Sequence, residues 1–476
     1  MQKSFAMAAL LAASCGAQAA SDTDLAAIRA QIDDMKKTYE QRIAALEQKL
    51  VQAEAQARPE AQARPEARPA APPVDSRPAA QARATSGATA SGFNPEVSLI
   101  LQGQYKSMKD VAERGITGFV PAGGHDDHAA GTIEGINKRG FSVNHSELVL
   151  AANIDPNWRG QAILAVLDGT VEVEEAWFRS LGIGSGIGLK GGRFRSGVGY
   201  INEQHPHMWD FADAPLMYRA MFGEHGSYAQ DGVQLKWLAP TPVFLEFGAE
   251  AGRGATFPGT DRNKNAAGAG AIFAHIGGDV GHSNEWRAGV SYLKTKASNR
   301  SAHFEDNNGS EALGKFTGDS ATWLADFVWK WAPNGNPKYQ NFKFQSEYFV
   351  REEKGGLNCS SDDSVSPCHA AADSAYKTNQ SGWYAQSVFR FTPQWRAGVR
   401  YEQLDSGTRD FGINAAKLVI DSYRPKKASV MVDYSWSEFS RVRLQLAQDQ
   451  SMLGITDHQL TLQYIMSLGA HGAHKF

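Results

Sequence analysis

Cysteine is scarce, with three in 476 residues. Cys15 falls in an apolar leader, which leaves Cys359 and Cys368 in the polar stretch LNCSSDDSVSPCHA. Their spacing is unlike the CxxC pairs that hold metals, and an exported chain with two cysteines is expected to close one loop with a disulfide. Long apolar runs are also missing: no stretch of about 18 apolar residues occurs, which excludes transmembrane helices. The chain contains no GxSxG, no HExxH and no P-loop, so the common hydrolase and nucleotide chemistries lack their residues. His145 and Ser146 are neighbours on an alternating stretch, where they should point to opposite faces, and no enzyme is expected. A formal net charge of -3 without a basic arm gives no reason to expect nucleic acid.

Three N-terminal segments precede the bulk of the chain. Residues 1–19 combine Lys3, an apolar run over 5–13 and Ala17-Gln18-Ala19, the pattern of a cleaved signal peptide. A lipoprotein acceptor at Cys15 is the rival, disfavoured because Ala12 stands where leucine is usual. Residues 20–56 form a coiled-coil helix: Leu25, Ile28, Ile32, Met35, Tyr39, Ile43, Leu46, Leu50 and Ala53 recur at three- and four-residue steps. So thin a stripe implies self-association. Residues 57–92, with AQARPEAQARPEARPAAPP, form an Ala/Pro/Arg-rich linker that has no apolar face to bury. Its spaced arginines suit peptidoglycan contact.

Over 93–476 the period changes to two. In EWRAGVSY, Trp286, Ala288, Val290 and Tyr292 oppose Arg287, Gly289 and Ser291; in SRVRLQLAQD, Val442, Leu444 and Leu446 oppose Arg441, Arg443 and Gln445. About sixteen such segments can be placed, an even number, and short joints alternate with longer ones near 108–139, 196–226, 254–266, 297–318, 354–376 and 407–424. Even strand number and loops sorted by end are the marks of a transmembrane β-barrel. Trp158, Trp237, Trp286, Trp331, Trp395 and Trp436 flank the short joints, as an interfacial girdle would. The expected fold is therefore an all-β, sixteen-stranded antiparallel outer-membrane barrel with a periplasmic coiled-coil helix. Its partners would be the lipid bilayer and lipopolysaccharide of the outer membrane. The terminal Phe476 would address it to the barrel-assembly machinery.

The order of signal peptide, coiled coil, Ala/Pro linker and sixteen-strand barrel resembles the phosphate-selective porin O/P family and the coiled-coil-bearing trimeric porins. The run GRF…GY…N.QH.H.WDF…D.PL, followed by WLAPT and GAEAGRG, is in addition similar to proteobacterial outer-membrane proteins labelled zinc-associated. The first resemblance implies a homotrimeric outer-membrane channel for passive diffusion of small hydrophilic or ionic solutes. It also implies a third external loop, here 196–226, folded inward. A TonB-dependent receptor is excluded, because 20–92 cannot make a plug and the strands are too few.

Site candidates follow from that frame. The constriction loop would present Arg193, Arg195, Glu203, His205, His207, Asp210, Asp213 and Arg219. Gly192, Gly197 and Gly199 would let the backbone turn inward, and Trp209 and Phe211 would pin it to the wall. By parity the lumen carries Arg287, Lys343, Arg351, Arg396, Arg400, Arg441 and Arg443 against Glu246, Glu250 and Glu347. Mixed signs of this kind predict a transverse field more than anion selectivity. His205 and His207, completed by Asp210 or Glu203, and His125 with His128 in GGHDDH are candidate weak Zn²⁺ ligands. They would face passing solute, which makes a metal-uptake-linked channel the alternative function. A structural envelope anchor is the second alternative.

Overall fold

The computed structural model describes residues 95–111, 114–119, 138–143, 145–167, 170–223, 226–419 and 422–469. The signal peptide, coiled coil and linker, His125, His128 and Phe476 lie outside the described residues. Seventeen strand segments form one antiparallel sheet: β1 (Glu96–Ser107), β2 (Gly140–Val143), β3 (Ser146–Asp155), β4 (Trp158–Leu167), β5 (Thr170–Ser180), β6 (Ile187–Arg195), β7 (Ala229–Leu238), β8 (Phe244–Gly252), β9 (Ala269–Val280), β10 (Asn284–Glu305), β11 (Glu311–Trp331), β12 (Asn341–Ser360), β13 (Ala372–Arg390), β14 (Trp395–Asp410), β15 (Lys426–Ser437), β16 (Ser440–Gln450) and β17 (Asp457–Gly469). β2 and β3 occupy one barrel position, since both pair with β1, over Gly103–Lys106 and Glu96–Ile100 respectively. The sheet therefore has sixteen positions. It closes where β1 pairs with β17, with Leu99 opposite Leu468. Closure leaves no unpaired edge, the condition for a sheet to cross a bilayer.

Alternation sets the two faces. On β7, Val233, Leu235 and Trp237 are exposed while Gln230 and Gln234 are buried; on β16 and β17, Leu444, Leu446, Leu462, Met466 and Leu468 are exposed against buried Arg443, Gln445 and Gln463. Apolar groups thus cover the outside and polar groups fill the inside, the reverse of a soluble core. Aromatic pairs gather beside the short turns: Trp237 stacks on Phe247, Trp158 meets Phe178, and Tyr434 lies between Trp395 and Trp436.

The strands from β10 to β14 correct the expected loops at 297–318, 354–376 and 407–424. A bilayer is crossed by about 10 residues per strand, yet β10 has 22, β11 has 21, β12 has 20 and β13 has 19. Most of 297–318 and about half of 354–376 are strand continued past the membrane, whereas β14 enters 407–424 only as far as Asp410. The polar composition of SNRSAHFEDNNGS hid the period, because with water outside neither face needs an apolar row. The extension has a core of its own, in which Phe316, Leu357, Tyr376, Phe411 and Leu418 surround the disulfide between Cys359 and Cys368, Cα atoms 5.6 Å apart.

Candidate functional site

Between β6 and β7 the chain enters the barrel. Residues 196–223 include a short helix, α1 (Leu216–Phe222), all but one of whose side chains are buried. A segment without regular pairing carries backbone amides and carbonyls that must find partners. The wall supplies them by sign. Glu250 accepts from Ser196 Oγ at 2.6 Å and from the Gly197 amide at 2.8 Å. Glu347 accepts the Tyr200 and Ile201 amides at 3.0 and 3.3 Å and the Tyr218 and Tyr384 hydroxyls at 2.7 and 2.6 Å. Glu402 accepts the Leu216 amide at the start of α1. Carbonyls meet arginines: Arg351 donates to Ala220 O at 3.0 Å, Arg441 to His207 O at 2.7 Å, Arg443 to Trp209 O at 2.8 Å and Arg400 to Asp213 O at 2.9 Å.

The two loop aspartates complete this lock. Asp210 pairs with Lys343 and, at 2.8 Å, with Arg396, which also holds Asp433 at 2.8 Å. Asp213 pairs with Arg400 at 2.6 Å and with Lys427. Burial alone would raise both carboxyls; Lys343 and Arg396 beside Asp210, and Lys427 and Arg400 beside Asp213, hold them below the usual carboxylate range instead. Phe211 is buried on Val388 and Met431, with the Arg400 guanidinium 4.5 Å from its ring centre. Gly199 has φ 72°, and a Cβ there would lie 2.5 Å from Tyr218 Oη and 2.6 Å from Glu347 Oε2. Glycine is required both by that backbone and by the closeness of the clamp.

The inward charges named from parity do face inward, but most are engaged by the loop or by each other. Arg287 lies 5.3 Å from the Tyr200 ring, and Glu246 bonds His275 at 3.1 Å and Lys236 at 3.5 Å. The mixed signs follow from the two kinds of backbone group they satisfy. Arg193 is a correction: it sits in β6, is half exposed, and pairs with Asp231 at 2.7 Å. Asp231 shares a face with the exposed Val233 and Leu235, so Arg193 leaves the barrel on its outer side. Arg195 does point inward, donating to Gln204 O at 2.6 Å and to Glu174 at 3.0 Å. Arg219 lies on α1 and lines a small polar pocket with Lys106, Arg114, Asp213, Lys427 and Asp449.

His205 and His207 are both buried, not open to passing solute, which corrects the expectation that they face the passage. The expected carboxylates are held by cations: Glu203 bonds Lys236 at 3.1 Å and Asp210 serves the lysine and arginine named above. Instead His205 meets Glu147 at 3.2 Å, Glu174 at 3.0 Å and Glu175 at 3.3 Å, and His207 meets Glu147 at 3.1 Å. His145 lies beside Glu147 at 3.3 Å and Glu174 at 2.9 Å. Sequence reasoning missed these carboxylates. His145 falls between β2 and β3 with φ 51°, outside the regular alternation. Glu174 is the extra residue of a β-bulge, since Ile163 pairs with Glu175 and Leu164 with Val173. The visible signal was VEVEEAWF, where a doubled glutamate breaks the period.

No family model matches this chain. Among solved structures it is similar to the L8-loop deletion mutant of OmpT, an outer membrane protein of Vibrio cholerae, at 10% identity, with 79% of this chain and 99% of that chain covered and a TM-score of 0.49. It is likewise similar to the outer membrane channel DcaP of Acinetobacter baumannii, at 12% identity, 79% and 97% coverage and a TM-score of 0.43. These likenesses are coarse, and the barrel rests on its own strand pairing. An uncharacterised protein of Aquifex aeolicus (strain VF5) is 30% identical over 411 residues, 81% of this chain and 80% of its own length, and this chain belongs to its family.

Proposed function

We propose that the protein is an outer-membrane channel for small hydrophilic solutes, with the inward segment 196–223 limiting passage. The observation that supports this reading is a closed barrel, apolar outside and charged inside, whose interior is crossed by an irregular segment fastened at β8, β12, β14, β15 and β16. A mere membrane anchor has no use for an interior of buried charges, each costly unless paired. The bacterial outer membrane is the bilayer in which such barrels are found, and the apolar seam in the N-terminal sequence supports self-association.

Recording in planar bilayers tests the reading. Folded protein should give small, discrete conductance steps, and deleting 203–213 should enlarge them several-fold. A folded deletion variant that conducts no more than the parent would refute the limiting role; absence of conductance from both would refute the channel.

A further inference from the structure

Four side chains from three separate parts of the chain meet at the foot of the inward loop. They are His145 from the break between β2 and β3, Glu147 from β3, Glu174 from the bulge in β5 and His205 from the loop. One donor atom of each lies within 4.8 Å of every other, and side-chain exposures are 8%, 0%, 14% and 8%. His145 Nε2, Glu147 Oε2, Glu174 Oε2 and His205 Nδ1 are all buried, and none makes a hydrogen bond. Yet the imidazole nitrogens approach the carboxylates to between 2.9 and 3.3 Å. The distances suit hydrogen bonds but the geometry does not, so four buried donor atoms within 4.8 Å of one another are left without hydrogen bonds. A tetrahedral ion with bonds of about 2.0–2.1 Å keeps its donors roughly 3.3 Å apart, close to the observed spacing.

The surroundings fix these donors. His205 Nε2 bonds Glu175 Oε2 at 3.3 Å, so a proton on Nε2 leaves the Nδ1 lone pair free. Glu175 Oε1 is held by the Arg195 amide at 2.7 Å. Glu174 Oε1 accepts from the Arg195 guanidinium at 3.0 Å, and Glu147 Oε1 meets His207 Nδ1 at 3.1 Å. Both carboxylates are thus held from outside the cluster through Oε1, the oxygen His145 Nε2 also approaches, while His205 Nδ1 approaches their Oε2 atoms. Two backbone irregularities, the positive φ at His145 and the bulge at Glu174, are what bring two of the four together.

We infer that His145, Glu147, Glu174 and His205 form a closed four-ligand site for a divalent transition cation of the Zn²⁺ class, which staples the inward loop to the wall at β3 and β5. Two neutral imidazoles, two carboxylates and a dication sum to zero charge, and Arg195 and Glu175 offset each other beside it. Four protein ligands in a buried setting make a structural site rather than a station for passing ions. The site stands independently of the channel reading, because metal binding and conductance are measured separately.

The test uses the full mature chain, folded in detergent and stripped with chelator, then titrated with ZnCl₂ by calorimetry and with Co²⁺ by visible absorption. One Zn²⁺ per chain and intense tetrahedral Co²⁺ bands are expected. His145→Ala and Glu174→Gln should each weaken Zn²⁺ by 100-fold or more and abolish those bands; Glu174→Gln keeps the shape should the histidine variant fail to fold. Glu175→Gln should weaken binding by about 10–100-fold, and the double variant His125→Ala/His128→Ala should leave it unchanged. Chelator should lower the melting temperature of the parent and not of Glu174→Gln. Absence of Zn²⁺ heat in the folded parent overturns the site, as does binding that survives Glu174→Gln or disappears with His125 and His128.

Discussion

Glu347 shows at the level of one residue how this barrel interior works. Its inward direction followed from alternation along KFQSEYFV, but its partners in the loop came from 129 to 147 positions away. Truncation to alanine would leave two amides and two hydroxyls buried and unpaired. With charged hydrogen bonds contributing about 1.5–3 kcal/mol each and acting as a unit, Glu347→Ala should cost about 3 kcal/mol and lower the thermal midpoint. It should also open the 196–223 segment to protease while the strands stay folded. A variant as stable and as resistant as the parent would show that the clamp contributes nothing. His145 teaches the opposite lesson: nothing in its local sequence announces that Glu174 and His205 will meet beside it.

At the scale of elements, the inward loop is fixed by ion pairs whose carboxylates have lowered pKa values. The sign follows from that direction. Stability from Asp210 and Asp213 is fully present above the ordinary aspartate value and is lost as pH falls through the depressed native ones. Conductance should therefore stay flat from pH 8 to about 4 and rise only in stronger acid, as the aspartates protonate and the loop loosens. Measured currents that climb between pH 7 and 5 would contradict this assignment. The loop could be located in the sequence because GRFRSGVGYINEQHPHMWDFADAPL lacks any period. Its path could not, because an irregular segment takes its direction from the groups that satisfy its backbone, and those lie on distant strands.

At the scale of the whole molecule, the barrel and the strand extension beyond it have separate cores. The disulfide closes a nine-residue separation within the extension. By chain-entropy reasoning a loop that short contributes about 2–3 kcal/mol. Cys359→Ser/Cys368→Ser should thus speed hydrogen exchange around Phe316, Leu357, Tyr376 and Phe411 and leave barrel strands such as β4 and β16 unchanged. Global loss of protection would show instead that the two cores unfold together. The sixteen barrel positions, the outward apolar face and the inward charges were all determined by the sequence. A strand between lipid and a polar interior must alternate, and a membrane of fixed thickness sets its length. Three things were decided only by the tertiary structure: which inward charges meet, how far β10 to β13 continue past the bilayer, and that His145, Glu147, Glu174 and His205 share one point. Pairing across a closed sheet joins residues with no local signature of their meeting, and beyond the membrane or at a bulge the period that made the strands legible no longer applies.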